Sequence, residues 1–259
     1  MFVAFLILLP IAVSLIAVGS RPRVAHAPVC SEPRELIRRA LAVIPSHSDD
    51  KALRRAVDLA QRADPRVDVV VVDAAPDRAL RAGAARGLVQ QYDAVIELSV
   101  EHAGLTQRIT RLLDALEDGA HVAIGSRYVP GGCVLGCRRT RRLVSRGANS
   151  LLHWCTRLPL HDVTAPIRAY RRAAIEHAVL HAGGRGRSFG LEVLLRCHDA
   201  GLRLAEVPVA AAGATCTTSL AEGCDLFARA FGWRRPDASR DGGPALLGAL
   251  GCEPTTRVV

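Results

Sequence analysis

The sequence predicts an α/β fold in which a mostly parallel sheet is flanked by helices. The first observation is that short apolar segments rich in β-branched residues alternate with amphipathic helical segments over residues 40–125. The second is that polar or glycine-rich residues follow the end of each apolar segment. Strands covered by helices on both faces are apolar throughout, and strand–helix–strand units place consecutive strands parallel. Together these patterns indicate one sheet whose strand ends meet at a common edge.

The elements of this sheet can be placed in order along the chain. Helical spacing of apolar residues predicts helices over 51–62 and 105–117, and further helices are predicted over 138–158, 172–182 and 188–200. A final strand is predicted over 203–209. The first four strands are predicted over 41–45, 67–73, 93–98 and 121–125.

Chemistry is expected where these strands end. In open parallel sheets, ligands bind beyond the carboxyl ends of the strands. Four segments therefore converge on one place: 45–49, 73, 99–101 and 125–127. The most distinctive is 122–132, in which an apolar run ends in a basic, glycine-rich turn.

The N-terminus predicts a membrane anchor. Residues 2–19 carry no charge and are long enough, at about 1.5 Å per helical residue, to cross most of a ~30 Å hydrocarbon layer. We therefore expect a transmembrane signal anchor over 1–24 and a linker over 25–39. Arg21 and Arg23 follow the apolar run, which predicts a single-pass protein with its main domain in the cytoplasm. A cleaved signal peptide is the alternative, favoured by Ala25-His26-Ala27 but not by the uncharged start.

The charge pattern favours anionic partners. The formal net charge is +9, and nearly all cations are arginines, which suit bidentate contacts to phosphate. A GC-rich coding sequence would explain the total number of arginines equally well, so the positions of the arginines are more informative than their number. The basic segment 138–158 fits either an amphipathic helix on anionic lipid or a solvated basic face. A nucleic-acid binder is not predicted, because no recognised motif accompanies the arginines and aromatic residues are only 4%.

Two further features complete the organisation. The eight cysteines show no paired Cys-x-x-Cys spacing and so predict no metal framework. Residues 236–259 lack periodicity and predict a flexible tail.

Eight short motifs carry a family resemblance. The most specific are Ile124-Gly125-Ser126-Arg127-Tyr128 and Ser145-Arg146-Gly147-Ala148-Asn149. All eight motifs lie in the segments 43–45, 70–73, 92–97, 117–120, 124–132, 143–149, 162–171 and 206–208. In this order they resemble the polyprenyl-phosphate mannosyltransferases, the dolichol-phosphate mannose synthase type of glycosyltransferase family 2. The resemblance covers roughly residues 40–220.

The resemblance implies a GT-A (Rossmann-like) domain over 40–235 that transfers a sugar, typically mannose from GDP-mannose, to a membrane polyprenyl phosphate. The implied partners are a nucleotide sugar, a polyprenyl phosphate and the membrane, with no nucleic acid and no indicated protein partner. A phosphate monoester with a second pKa near ~6 is largely ionised at neutral pH, so the nucleophile needs no general base. The enzyme must instead hold two anions together and neutralise the departing diphosphate, usually with Mg²⁺ or Mn²⁺.

The resemblance also implies the site residues. On the acceptor side, the phosphate is expected to contact Arg127, Ser145, Arg146 and Asn149, and Arg127 is also expected to be catalytic. Glu101 is expected to be catalytic and to bind the metal. The donor is expected to contact Pro45, His47, Asp49, Val71, Asp73, Ser99 and Val100.

The donor side departs from the family pattern. The usual Asp-x-Asp is Ser99-Val100-Glu101, which removes one carboxylate but leaves Glu101 able to bind a metal with help from the diphosphate. His47 replaces an aromatic residue, Asp49 shortens a glutamate, and Ala74 replaces a second aspartate. A glycine-rich segment is shortened between residues 77 and 92, and the loop after 207–208 lacks the two cations that close on the phosphates.

Two hypotheses follow from this erosion. The first is a membrane-associated glycosyltransferase of this family with an unusual donor site. The second is a non-catalytic relative that keeps the acceptor side and serves as a polyprenyl-phosphate-binding or regulatory subunit.

Overall fold

A computed structural model of the chain describes residues 35–46, 50–98, 105–136, 139–212, 226–228, 230, 232 and 256–258. The predicted anchor, the first part of the linker and most of the predicted tail lie outside these ranges. Within them, no helix is both long and apolar enough to cross a membrane.

The strands within the described ranges form two sheets. They are β1 Ala40–Pro45, β2 Val67–Val72, β3 Ala94–Glu97, β4 Val122–Ser126, β5 Cys133–Leu135, β6 Arg168–Arg171, β7 Leu204–Pro208, β8 Ala210–Ala212 and β9 Thr256–Val258. The main sheet has the order β7-β4-β6-β3-β1-β2-β9, and β5 pairs with β8. In the main sheet, β1 is parallel to β2 and to β3, and β4 is parallel to β7. Because β6 lies between β3 and β4 and is antiparallel to both, β4 and β7 run in the same direction as β1, β2 and β3. These five strands therefore end at the same edge of the sheet.

The sheet differs from the prediction at β6. This strand lies between β3 and β4 and is antiparallel to both. Its sequence, Arg-Ala-Tyr-Arg, lacks the apolar run of a central strand, yet Arg168 and Tyr170 are buried. The structure also places β9 antiparallel to β2, within the region expected to be a tail without regular structure.

Besides a short helical stretch at 226–228, six helical segments flank the main sheet within the described ranges. They are α1 Asp50–Gln61, α2 Pro76–Val89, α3 Leu105–Glu117, α4 Arg139–Thr156, α5 Arg172–Ala174, which continues as the π-helical turn Ile175–Val179, and α6 Gly186–Asp199. Helix α2 occupies the stretch from which a family segment is shortened. It lies close to the sheet, because a Cβ added at Gly83 would be 2.2 Å from Cγ2 of Val43.

The core lies on both faces of the main sheet. On one face, Val43 and Val70 pack with Leu80 of α2 and Leu191 of α6. On the other, Ile44 and Ile96 pack with residues of α1 and α3, which include Val57, Ile109, Leu112, Leu113 and Leu116. Full burial of each large aliphatic side chain contributes about 1.5–3 kcal/mol. These two layers hold the strand ends, and the residues that follow them, in fixed positions.

Candidate active site

The ends of β1 and β2 bring two of the predicted donor residues together. Pro45 pairs with Val72 in the last position of β1, and the next backbone amide, Ser46 N, donates to Val72 O at 2.9 Å. Asp73 follows β2 directly and is exposed. A carboxylate is therefore available at this edge beside Pro45.

The other predicted donor residues divide into two groups. The side chain of Val71 is partly buried and packs on the core face covered by α1 and α3, and its predicted donor contact stays a prediction. The remaining five lie outside the described residues, and their roles stay predictions: His47, Asp49, Ser99, Val100 and Glu101.

Arg127, at the end of β4, forms a buried ion pair. Oδ2 of Asp162 accepts from Arg127 Nε at 2.7 Å and from its backbone N at 3.0 Å, and Oδ1 accepts from Nη2 at 2.7 Å. The two side chains are 1% and 0% exposed. In this structure the Arg127 guanidinium is enclosed with a carboxylate and supports the site. Its predicted catalytic role and its predicted contact with the acceptor phosphate stay predictions.

Asn149 belongs to the same buried network. Its Nδ2 donates to Thr164 Oγ1 at 3.1 Å and to Ser145 O at 3.0 Å, and its Oδ1 accepts from Thr164 N at 3.3 Å. Arg127 Nη2 also donates to Thr164 Oγ1, at 3.0 Å. Asn149 is 2% exposed and joins α4 to the loop after that helix. Its predicted contact with the acceptor phosphate stays a prediction.

The turn after β4 requires its glycines. Gly132 N donates to Val129 O at 2.9 Å, which folds the chain back toward the strand end. A Cβ at Gly132 would lie 2.6 Å from Ser126 O and 2.9 Å from the carbonyl carbon of Arg127, and Gly131 has a φ of +87°. Contacts below 3.0 Å with backbone atoms would displace the strand end, so this turn fixes the position of Tyr128.

Two of the predicted acceptor residues reach the surface beside Tyr128. The Tyr128 hydroxyl donates to Ser145 Oγ at 2.7 Å. Arg146, one residue further along α4, is exposed, and its guanidinium lies 5.6 Å from the centroid of the Tyr128 ring. In the part of the chain that the structure describes, no carboxylate forms an ion pair with Arg146. Its charge is therefore available to an anion, and its predicted contact with the acceptor phosphate stays a prediction.

Glu206 of β7 ties the loop after α4 to the sheet. Its carboxylate accepts from the backbone amides of His161 and Asp162, each at 2.9 Å, and lies 2.8 Å from Nδ1 of His161. Burial favours a higher pKa for Glu206, but hydrogen bonds from His161 and Ser126 hold the pKa below its usual value. The hydrogen bond to Glu206 raises the pKa of His161 against the effects of burial and of Arg146. Both shifts favour the charged pair.

A third polar cluster lies at the end of β3. The Tyr170 hydroxyl donates to Oε2 of Glu97 at 3.1 Å, while Arg168 donates to Gly190 O and Val163 O. Removal from water raises the pKa of Glu97, against the opposing effects of Arg168 and Tyr170. Because Arg168 holds Val163 O, this cluster also fixes the loop that carries Asp162.

The sequence motifs assign no role to four residues of this site, namely His161, Asp162, Thr164 and Glu206. Asp162 and Glu206 lie within two of the segments that carry the family resemblance, and that is the signal by which they could have been found. Nothing in the sequence pairs Asp162 with Arg127, which is 35 residues away.

Among the described residues, no group of three or more His, Cys, Asp or Glu side chains is arranged to hold a metal ion. The carboxylate predicted to bind the metal, Glu101, is not among them. Asp73 is the exposed carboxylate that the structure describes at the ends of β1 and β2.

Comparison with curated proteins identifies relatives. No protein-family model matches the chain. The chain is 32% identical over 203 residues to polyprenol monophosphomannose synthase from Mycolicibacterium smegmatis, which covers 66% of this chain and 77% of the relative. It is 28% identical over 201 residues to undecaprenyl-phosphate mannosyltransferase from Micrococcus luteus, covering 66% of this chain and 82% of that protein.

Solved structures support the architecture. The chain resembles glucosyl-3-phosphoglycerate synthase from Mycobacterium tuberculosis in complex with phosphoglyceric acid, with a TM-score of 0.55 and 14% identity, over 86% of this chain and 87% of that one. The same enzyme with Mn²⁺, UDP-glucose and phosphoglyceric acid gives a TM-score of 0.54 at 16% identity, over 86% of each chain. These likenesses show an α/β fold of the GT-A type. With the sequence identity to the synthase from M. smegmatis, they establish that this chain belongs to the polyprenyl-phosphate mannosyltransferases of glycosyltransferase family 2.

Proposed function

We propose that this chain transfers a mannosyl group from GDP-mannose to the phosphate of a membrane polyprenol. The observation that carries the proposal is the exposed Arg146, stacked on Tyr128 above the buried pair of Arg127 and Asp162. An exposed arginine held by a rigid buried support is suited to bind a phosphate monoester through charge-assisted hydrogen bonds. The relatives at 32% and 28% identity are named for mannosyl transfer to polyprenyl phosphates, which supports the same acceptor.

The chemistry requires little from the protein beyond positioning and charge. One oxygen of the ionised acceptor phosphate forms a bond to the anomeric carbon of mannose. The bond from that carbon to the diphosphate oxygen breaks, and GDP leaves with the electron pair. No proton has to move, so the site needs no general base. Its task is to hold two anions at a productive distance and to stabilise the charge on the leaving diphosphate.

We propose that a divalent cation, Mg²⁺ or Mn²⁺, assists departure of the diphosphate. Both ions prefer oxygen ligands, and the exposed carboxylate of Asp73 stands at the sheet edge where the donor is expected. Glu101 is the second candidate ligand. A solved structure of the same fold holds Mn²⁺ with a nucleotide sugar, which supports a divalent metal cofactor in general. When bound, the metal would neutralise charge on the leaving group.

Helix α4 supports association with a lipid surface. Leu143 is 56% exposed and Trp154 is 74% exposed. They are eleven residues apart, which places them on the same helical face, and Arg142 and Arg146 are exposed on the same helix. Exposed apolar side chains flanked by arginines are typical of interfacial helices. This pattern favours the lipid-bound interpretation of 138–158 over a merely solvated basic face. The membrane anchor at 1–24 and the cytoplasmic orientation remain part of this proposal.

Fluorescence quenching tests the lipid contact. In the full chain with Trp233 replaced by phenylalanine, Trp154 is expected to be quenched by brominated acyl chains after reconstitution into phosphatidylserine-containing vesicles. The physical reason is that its ring would lie at the level of the headgroups. Trp154 emission as strong in vesicles with brominated acyl chains as in matched vesicles without bromine would remove α4 from the membrane surface.

Arg146→Ala tests the acceptor site. The variant is expected to raise the KM for polyprenyl phosphate by about tenfold or more, because a charge-assisted contact to a phosphate is lost. The KM for GDP-mannose should change little. Arg55→Ala, which removes one exposed cation from α1, is the control for the change in net charge. Equal KM values for the lipid in Arg146→Ala and Arg55→Ala would show that Arg146 does not hold the acceptor.

A further inference from the structure

Arg108 is a buried cation with one guanidinium nitrogen left unpaired. It lies in the first turn of α3 and is 6% exposed, and within the described part of the chain its Nη1 atom has no hydrogen-bond partner. The other buried arginines within the described ranges have acceptors: Arg127 has Asp162, and Arg168 has the carbonyl oxygens of Gly190 and Val163. Burial lowers the pKa of Arg108, against the opposing electrostatic effect of Cys133. An unpaired charge in such a place is costly and is retained where it has a use.

Neighbouring contacts place Arg108 at the edge where the strands end. Cys133, which interacts with it electrostatically, begins β5, and its amide donates to Val209 O at 3.1 Å. Arg111, one turn further along α3, donates from Nη1 to the carbonyl oxygen of Pro208 at 3.2 Å. Residues 126 and 208 are the paired last residues of β4 and β7, so this part of α3 lies beside the carboxyl ends of both strands.

The same turn of α3 favours an anion for a second reason. The N-terminus of a helix carries a partial positive charge, so a buried cation in the first turn adds to an already positive field. A bound anion would offset both charges. Helix α3 also begins four residues after Glu101, the predicted metal ligand on the donor side.

We propose that Arg108 binds the diphosphate of the nucleotide sugar. This inference rests on the proposed function. The sequence contains no Lys or Arg between residues 204 and 228, so the loop after β7 and β8 supplies no cation to the leaving group. Arg108 supplies that charge in its place, from a helix that follows the donor segment in the sequence. Arg146, by contrast, is exposed on α4 and serves the acceptor.

Arg108→Met separates a ligand contact from a structural role. The substitution keeps an unbranched side chain and removes the charge. Without nucleotide, the variant is expected to unfold at the same temperature as the wild type or a higher one, because an unpaired buried charge has been removed. The increase in Tm caused by GDP should be smaller than in the wild type, because the diphosphate has lost one cation.

Calorimetry on the full chain in detergent, with Mn²⁺ present, provides the direct test. GDP is expected to bind Arg108→Met about tenfold or more weakly than the wild type, while guanosine, which lacks phosphates, binds both equally. Arg111→Met removes an exposed arginine from the next turn of the same helix and should bind GDP like the wild type.

Each remaining outcome is decisive. Equal GDP affinity in Arg108→Met and the wild type would overturn the assignment. So would a large loss of Tm in the nucleotide-free variant, because that result would mean that Arg108 is already paired with a carboxylate of the protein. If the wild type binds neither GDP nor GDP-mannose, the donor half of the proposed function fails, and the role of Arg108 fails with it.

Discussion

Replacing Asp162 by alanine is expected to lower the free energy of unfolding by about 3–5 kcal/mol. The carboxylate accepts three hydrogen bonds from Arg127, and the pair is almost fully enclosed. Without it, the guanidinium keeps its charge in a site with little access to water. The cost of that uncompensated charge exceeds the loss of the hydrogen bonds themselves. Urea unfolding of the full chain, followed by circular dichroism, measures the difference.

Two further variants make the test specific to the buried pair. The double variant Arg127→Met with Asp162→Leu removes both charges and is expected to recover a large part of the lost stability. Glu176→Ala breaks the half-exposed ion pair with Arg172 and is expected to cost less than about 1 kcal/mol. If Asp162→Ala and Glu176→Ala cost the same, the Arg127 pair does not hold the site together.

Replacing Glu101 by alanine is expected to reduce metal-dependent sugar transfer by about a thousandfold. One of the two carboxylates of the family motif is already missing, because Ser99 occupies its place. Glu101 is therefore the last carboxylate of the motif, and loss of metal assistance to the leaving diphosphate removes several kcal/mol of transition-state stabilisation. Initial rates at increasing Mn²⁺ concentration measure the effect, and high Mn²⁺ should restore only part of the rate.

Asp114→Ala is the matched control for Glu101. Asp114 is an exposed carboxylate on α3 and has no role in the site, so its loss changes the net charge equally. The rate of this variant should match that of the wild type. Unchanged turnover in Glu101→Ala would remove Glu101 from the mechanism and leave Asp73 as the carboxylate to examine.

The strands that the sequence predicts well are those with continuous apolar runs. For β1, the prediction of 41–45 matches Ala40–Pro45 closely, and for β2 the prediction of 67–73 matches Val67–Val72. Strand β6 could not be predicted in the same way. Its Arg168 and Tyr170 are buried because their polar groups find partners on β3, α6 and the preceding loop, and such partners are defined only by the folded chain.

The candidate site shows a similar division. The motifs around 124–128 and 145–149 correctly indicate segments that lie together, since the Tyr128 hydroxyl bonds to Ser145. They do not indicate which side chains face inward. Arg127 and Asn149 share their motifs with exposed neighbours, but both turn into the interior, where Asp162 and Thr164 bind them. Sequence order cannot specify that orientation, because it depends on a loop that is brought in by Glu206 of a distant strand.

The most direct test of the proposed activity measures sugar transfer. The full chain in detergent is mixed with radiolabelled GDP-mannose, polyprenyl phosphate and Mn²⁺, and the label that enters the organic phase is counted. We predict that label accumulates in the lipid only when polyprenyl phosphate is present, and that Glu101→Ala abolishes nearly all of it. If the wild type binds both GDP-mannose and polyprenyl phosphate but transfers no label, the chain is a binding subunit and not a transferase.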